Sequence, residues 1–559
     1  MNPHSPILDQ PQVIDWEKDA PHFSYRLANS EIVFEVDADT DLCNLFLPWA
    51  NEEYAKRITL AVSAPREETL MPLVTRLYPG HQEQILGTEG VILTKRVAVP
   101  YQGDYDRTVL WVLDCQAEGD RLLRLDVTID WGEPLTQRMV DGLLVAQRNP
   151  GPLRGIYSQS NAELTCVFGN PDARPDQVDL NEPNRAHLVY HVLVNGMVEV
   201  PLLLTLSDVG EQIAWNGFLA MRDAERAFQL STKAWERMLK RGRLWTPDPP
   251  FNRAIQQGKL TAVRHLQRVR SGAMATDRTT THSAALVAMV DSFDVTSSRN
   301  LLANLRRIAE STMGRLPETL PLRPKEEPVD PGPAVAQTNG AYLRALAGHM
   351  RSHFDAKLLA DHYTAIGLCA EQLCRLLEAT GAADTDPSAV EQGLHAAVAL
   401  ARWQGDTDNV RRWQALAGGD TVPTMSAITP ASVHYPESAP FGFADVWHGI
   451  IWSGEAFWQS CGLSWQRGTL HVAQTWPATW QWWAVLDLPY IDDRTVSILW
   501  DGDTLHSTQP LHSPLPTQQW DSIRPLRTDE LEFDLHFALQ SEQDDLVTHN
   551  TFRPRFFNK

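Results

Sequence analysis

The stretch DVWHGIIWSGEAFW (residues 445–458) carries the residue types most able to do chemistry in this chain. At 100° per residue, Asp445, His448, Trp452, Glu455 and Gln459 fall within an arc of about 80° on a helix. Gly449, Ser453, Ala456 and Ser460 form a seam of small residues, and apolar side chains take most of the remaining circumference. A helix that is apolar almost all round, with one stripe of hydrogen-bonding groups, fits an inner wall whose stripe faces a cavity. Sugars suit such a wall. Their C–H faces lie on an aromatic ring such as Trp452, and their hydroxyls need planar donors and acceptors such as Asp445, His448, Glu455 and Gln459. The competing reading is a solvated stripe with no ligand.

Other candidates are scattered. Asp277, in MATDRT, has Arg278 beside it and stands where a helix opens; a capping aspartate and a substrate contact look identical there. Gln337 and Asn339, in AQTNGAYL, suit hydroxyl recognition, although Thr338 or Asn339 also suits a cap. Trp403 and Trp413 read as core. His282 and His349 read as satisfied core or surface residues. No Walker loop, GxGxxG, GxSxG, HExxH or metal-ligand spacing is present, so neither cofactor nor metal is expected.

The net charge of −21 argues against a general nucleic-acid partner. No apolar run is long enough to span a membrane, and MNPHSPILDQ lacks the features of a secretory signal. Six cysteines without CxxC spacing fit reduced thiols, so a cytoplasmic location is expected. Nineteen tryptophans are present, and their concentration after Trp447 marks the C-terminal third as aromatic.

The elements that must position these residues follow from period. Residues 22–210 alternate in short β-branched runs (GVILTKRVAVPY, TVLWVLDCQA, HLVYHVLVNGMVEVPLLLTLSD), predicting an antiparallel sandwich. Residues 219–242 switch to helical spacing, and WTPDPP stops that helix in a Pro-rich hinge. Helices are predicted near 252–270, 280–292, 297–312, 335–352, 355–379, 387–404, 406–417 and 444–460. Strands return from 463 to about 540, followed by a polar tail. The expected domains are a β-sandwich (1–215), a linker helix and hinge (216–250), an α/α-hairpin domain (251–462) and a small β-domain with a tail (463–559).

This order resembles the six-hairpin, (α/α)6-barrel glycosidase superfamily. WTPDPPFNRAIQQGKLTAVRH is similar to the entry into a first barrel helix, TDRTTTHSAALVAMVDSFDVTSSRNLLANLRRIAESTMGRLPETLP to a second hairpin, and AQTNGAYLRALAGHM to the next inward helix. WHGIIWSGEAFWQSCGL with LHVAQTWPATWQWW resembles the last barrel helix and its exit into a C-terminal sheet. The resemblance implies an N-terminal super-sandwich, a linker helix, a toroid-like helical domain and a small β-domain. It gives Asp277 and Arg278 a substrate-facing place, puts Glu318 in a cleft loop, and makes Glu391, by position, and Glu455 candidates for acid and base. It implies an oligosaccharide partner and glycosidic-bond hydrolysis by paired carboxylates. The alternative is a degenerate relative that binds glycans or serves as a scaffold. Phosphorolysis is disfavoured by the absence of a basic or Ser/Gly-rich phosphate cradle. One departure counts against catalysis: eight helices stand where six hairpins need twelve.

Overall fold

The computed structural model describes residues 12–14, 24–29, 31–37, 40–47, 52–64, 70–88, 90–100, 107–148, 164–207, 210–269, 272–321, 329–379, 387–418, 438–439, 442–443, 445–466, 469–490, 494–525 and 556–557. The expected strand LEFDLHFALQ and most of the polar tail lie outside them. A large antiparallel β-sheet comes first, ten helices follow, and small β-sheets close the chain. Ser5–Glu236 and Arg237–Lys559 are two compact units.

In the first unit fourteen strands share one antiparallel sheet. Its spine is a pair of 23-residue strands, Thr108–Asp130 and Arg185–Ser207, hydrogen-bonded along their length with a register shift at Gly196. One half of Thr108–Asp130 pairs with Val91–Ala98 and the other with Glu52–Ser63, so the sheet branches. The branches lie over one another: buried Tyr54 donates to the Ala146 carbonyl at 3.0 Å, and buried Lys95 donates to Leu60 at 3.0 Å. This is the expected sandwich, with its buried polar groups partnered.

The expected helix at 219–242 is preceded by a helix that was not expected, α1 (Glu211–Ala220), and itself runs as α2 (Ala224–Lys240). The Asp223 carboxylate accepts from the Arg226 N–H at 3.0 Å, so it starts α2 after the end of α1. Ala214, Phe218, Met221 and Phe228 still bury together against Leu110, Val112, Val145 and Leu203 of the sheet.

The second unit holds α3 (Pro249–His265), α4 (Thr280–Val290), α5 (Val295–Ser311), α6 (Val335–Ser352), α7 (Ala356–Ala379), α8 (Pro387–Gln404), α9 (Thr407–Leu416) and α10 (Val446–Cys461). Pro249 and Pro250 of WTPDPP open a helix. Asp248 caps α3 by accepting from Phe251 N–H at 3.0 Å, and prolines fill the first helical positions, where their missing N–H costs nothing. The helix expected to reach 270 ends at His265, where Leu266–Val269 turns into a hairpin with Gly272–Ala275.

The eight helices form two rows. The inner row runs α10, α4, α6, α8, each packed on the next, and α3, α5, α7 and α9 back it. Inner helices approach closely because glycine lies at their crossings. A Cβ on Gly454 of α10 would stand 2.9 Å from the Met289 nitrogen of α4, and one on Gly393 of α8 would stand 2.9 Å from the Gly340 Cα of α6. The small-residue seam of α10 is the face against α3: a Cβ on Gly258 would lie 2.3 Å from that of Ser453. The tryptophan-rich exit answers to packing. Trp476, Trp480 and Trp483 bury with Phe251 and Ile255 of α3, Phe457 and Cys461 of α10, and Val485 and Ile498 of the small sheets.

Candidate functional site

The four inner helices run in one direction. Trp447 near the start of α10 stacks on His282 near the start of α4, and Gly454 lies on Ala288 and Met289. Asp291, just past α4, meets His349 near the end of α6, and Gly340 early in α6 meets Gly393 early in α8. Their N-termini therefore open at one end of the layer. Each helix leaves one stripe open to solvent: His448, Ile451 and Glu455 on α10; Thr281, His282 and Ala285 on α4; Gln337, Arg344 and Gly348 on α6; Glu391, Gln392 and His395 on α8. Alanine and glycine floor the middle of this face, and longer polar groups rise on both sides.

Glu455 is the centre of the arrangement. It is exposed to solvent, yet the protein packed around it raises its carboxyl above the ordinary value, and Arg344 pulls it back. Arg344 hydrogen-bonds the Gln392 side-chain oxygen at 3.0 Å. Three inner helices, α10, α6 and α8, thus contribute Glu455, Arg344 and Gln392 to one face.

A second cluster sits at the mouth. Asp277 meets His282 Nδ1 at 2.5 Å and accepts from the Thr279 N–H at 3.0 Å. Burial pushes the Asp277 carboxyl up, but these partners outweigh it and hold it below the usual range. The His282 ring lies flat on Trp447, 4.1 Å between centroids and 13° from parallel. His265 meets the same tryptophan edge-on at 5.4 Å.

Several predicted contacts are corrected. Asn339 is fully buried: its amide donates to Gly314 and Cys369 carbonyls at 2.7 and 3.2 Å and accepts from the Leu316 N–H at 3.3 Å. It fastens a loop and has nothing to offer a substrate. The Arg278 guanidinium is engaged by the Leu320 carbonyl at 3.0 and 2.9 Å. Asp445 caps α10 by accepting from the His448 N–H at 3.0 Å. Trp452 turns from the stripe to pack on Phe251 and the tryptophan core, and Ile451 takes the open position instead. Burying the larger apolar surface is the stronger preference. Gln459 is half-buried, and its carbonyl accepts from the Thr475 hydroxyl. Asp277 does not cap α4, which Thr279 precedes; its carboxylate closes a turn onto Thr279 and pairs with His282. Glu318 is exposed in the loop whose carbonyl accepts from the Thr280 N–H at 2.8 Å.

Glu391 is exposed on α8. Counted from level helix starts, it lies five residues, about 7–8 Å at 1.5 Å per residue, nearer the mouth than Glu455. α4 and α6 stand between α10 and α8 in the inner row. The four inner helices carry no other carboxylate. Among the described residues, no hydrogen bond or ion pair joins Glu391 to Glu455. The groups that period alone misses are His282, Trp447, Arg344 and Gln392, because each acts through a neighbour on another helix.

No protein-family model matches the chain, and no curated protein matches its sequence. Solved structures do match. A candidate kojibiose phosphorylase from the human microbiome aligns with a TM-score of 0.56 at 8% identity, over 93% of this chain and 98% of the other. A bacterial glucoamylase complexed with acarbose aligns with a TM-score of 0.46 at 12% identity, over 71% of this chain and 67% of the other. At 8% identity the first of these likenesses is one of fold.

Proposed function

We propose that the concave face of the inner helices binds an oligosaccharide, and that the chain is a glycan-binding relative of the glycosidases rather than a working hydrolase. The observation that carries this is the convergence of Glu455, Arg344 and Gln392 from three helices beside the small residues Ala285 and Gly348. Small floor residues leave room for a sugar ring. The exposed side chain of Ile451 offers an apolar surface to its C–H face, and the flanking carboxylate, guanidinium and amide match its hydroxyls. A neighbour in fold named as a kojibiose phosphorylase is consistent with a sugar ligand.

Hydrolysis needs a second carboxyl group within about 10 Å of the first, and besides Glu455 the four inner helices carry Glu391 alone. One observation favours the hydrolytic reading all the same: a carboxyl raised by burial is what a general acid requires. The two readings separate in one experiment. The purified protein is incubated with α- and β-linked di- to pentasaccharides while melting temperature and released reducing ends are followed. Stabilisation by a sugar without release supports the binding reading. Release that disappears in Glu455→Gln supports hydrolysis. No response to any sugar overturns both.

A further inference from the structure

The Asp277–His282–Trp447 cluster has a geometry that neither cap nor core explains. One face of the His282 ring is covered by Trp447 at 4.1 Å, and Nδ1 is held by Asp277 at 2.5 Å. The ring is still 29% exposed, so what remains open is its other face and the edge bearing Nε2. Among the described residues Nε2 has no hydrogen-bond partner, and His282 lies on the open stripe of α4. A carboxylate on Nδ1 fixes which nitrogen carries the proton and stops the ring from turning over. The Trp447 stack fixes the plane. Two restraints therefore fix the direction of the remaining nitrogen.

We infer that His282 is a ligand-contacting residue, its Nε2 oriented by Asp277 and Trp447 to accept a hydrogen bond from a sugar hydroxyl at the mouth of the groove. This rests on the glycan-binding reading above and adds a contact to it. In the neutral ring Nδ1–H donates to Asp277, and Nε2 presents its lone pair. Asp277 and Trp447 are positioning residues, and only His282 touches the ligand. The contact is chemically unlike those of Glu455 and Arg344, since it reads a hydroxyl proton through a nitrogen acceptor of fixed direction.

The test is imidazole NMR of the wild-type protein with a sugar from the panel that stabilises it, the His282 signals being assigned by their loss in His282→Gln. Saturable movement of those signals is expected. His282→Ala should weaken binding about tenfold, a loss of ~1.4 kcal/mol, His282→Gln should restore part of it, and Asp277→Asn should fall between. Unmoved signals with unchanged affinity in His282→Ala, while Arg344→Ala weakens binding, would overturn this inference and leave the glycan-binding reading standing. Absence of sugar binding by the wild-type protein would overturn that reading, and this one with it.

Discussion

The inner helices carry an aspartate–histidine pair at each end of the layer, and the two pairs have opposite surroundings. At the C-terminal end Asp291 and His349 meet at 2.7 Å with side chains 1% and 0% exposed. At the N-terminal end Asp277 and His282 meet at 2.5 Å with side chains 37% and 29% exposed. The same chemistry therefore has different consequences. The Asp291 carboxylate ties His349 and Ser352 of α6 to the end of α4, and its backbone carbonyl accepts from His353 at 3.0 Å. Burial pushes the Asp291 carboxyl up, but His349, His353 and Ser298 outweigh it and hold it below the usual range. That pair is a clamp between helices. The Asp277 pair joins a turn to the start of α4, where His282 stacks on Trp447, and both side chains stay part-exposed.

The comparison breaks most visibly at the buried pair. Asp291→Ala leaves His349 and Ser352 without their carboxylate partner in the interior, and should cost about 3–5 kcal/mol, read as a fall in the melting temperature of the unit 237–559. The same end sets the acid limb. Burial holds His353 neutral, lowering it to about 4, with Asp291 opposing. An unfolded histidine titrates near ~6.5, so the unfolded state binds the extra proton first. Stability should therefore fall as pH drops from about 6.5 towards 4, and His353→Gln should flatten that slope. Asp291 adds its own loss below the ordinary carboxylate range, as pH falls through its depressed folded value.

An intermediate effect is expected where two inner helices touch. Gly454→Val places a side chain against the backbone of Met289, and should cost about 1–3 kcal/mol by overpacking. The smallest stability effect belongs to the mouth. Asp277→Ala should cost less than about 1 kcal/mol, as exposed ion pairs do, and still weaken sugar binding. A loss at the mouth as large as that of Asp291→Ala would remove the distinction between the two pairs.

Much of this layout was legible in the sequence. Period placed eight helices and the strand-rich start, and it found the open stripe of α10 through His448 and Glu455. It set Trp452 on that stripe because period counts angles, whereas the tryptophan answers to Phe251 and the aromatic core behind it. It offered Asn339 as a hydroxyl reader because an amide near a helix start looks the same whether it meets solvent or the Gly314 carbonyl. Asp223 starts α2 after the end of α1, a helix that period did not place. The Asp277–His282–Trp447 stack was out of reach because it depends on α10 returning to lie beside α4, which local sequence does not encode.

Titration calorimetry of the wild-type protein and Arg344→Ala with the sugar that most raises the melting temperature tests the central claim most directly. Saturable binding by the wild-type protein that weakens at least tenfold in Arg344→Ala, with the fold intact by circular dichroism, is the predicted result. Equal affinity in both proteins would contradict it and place the sugar elsewhere on the molecule.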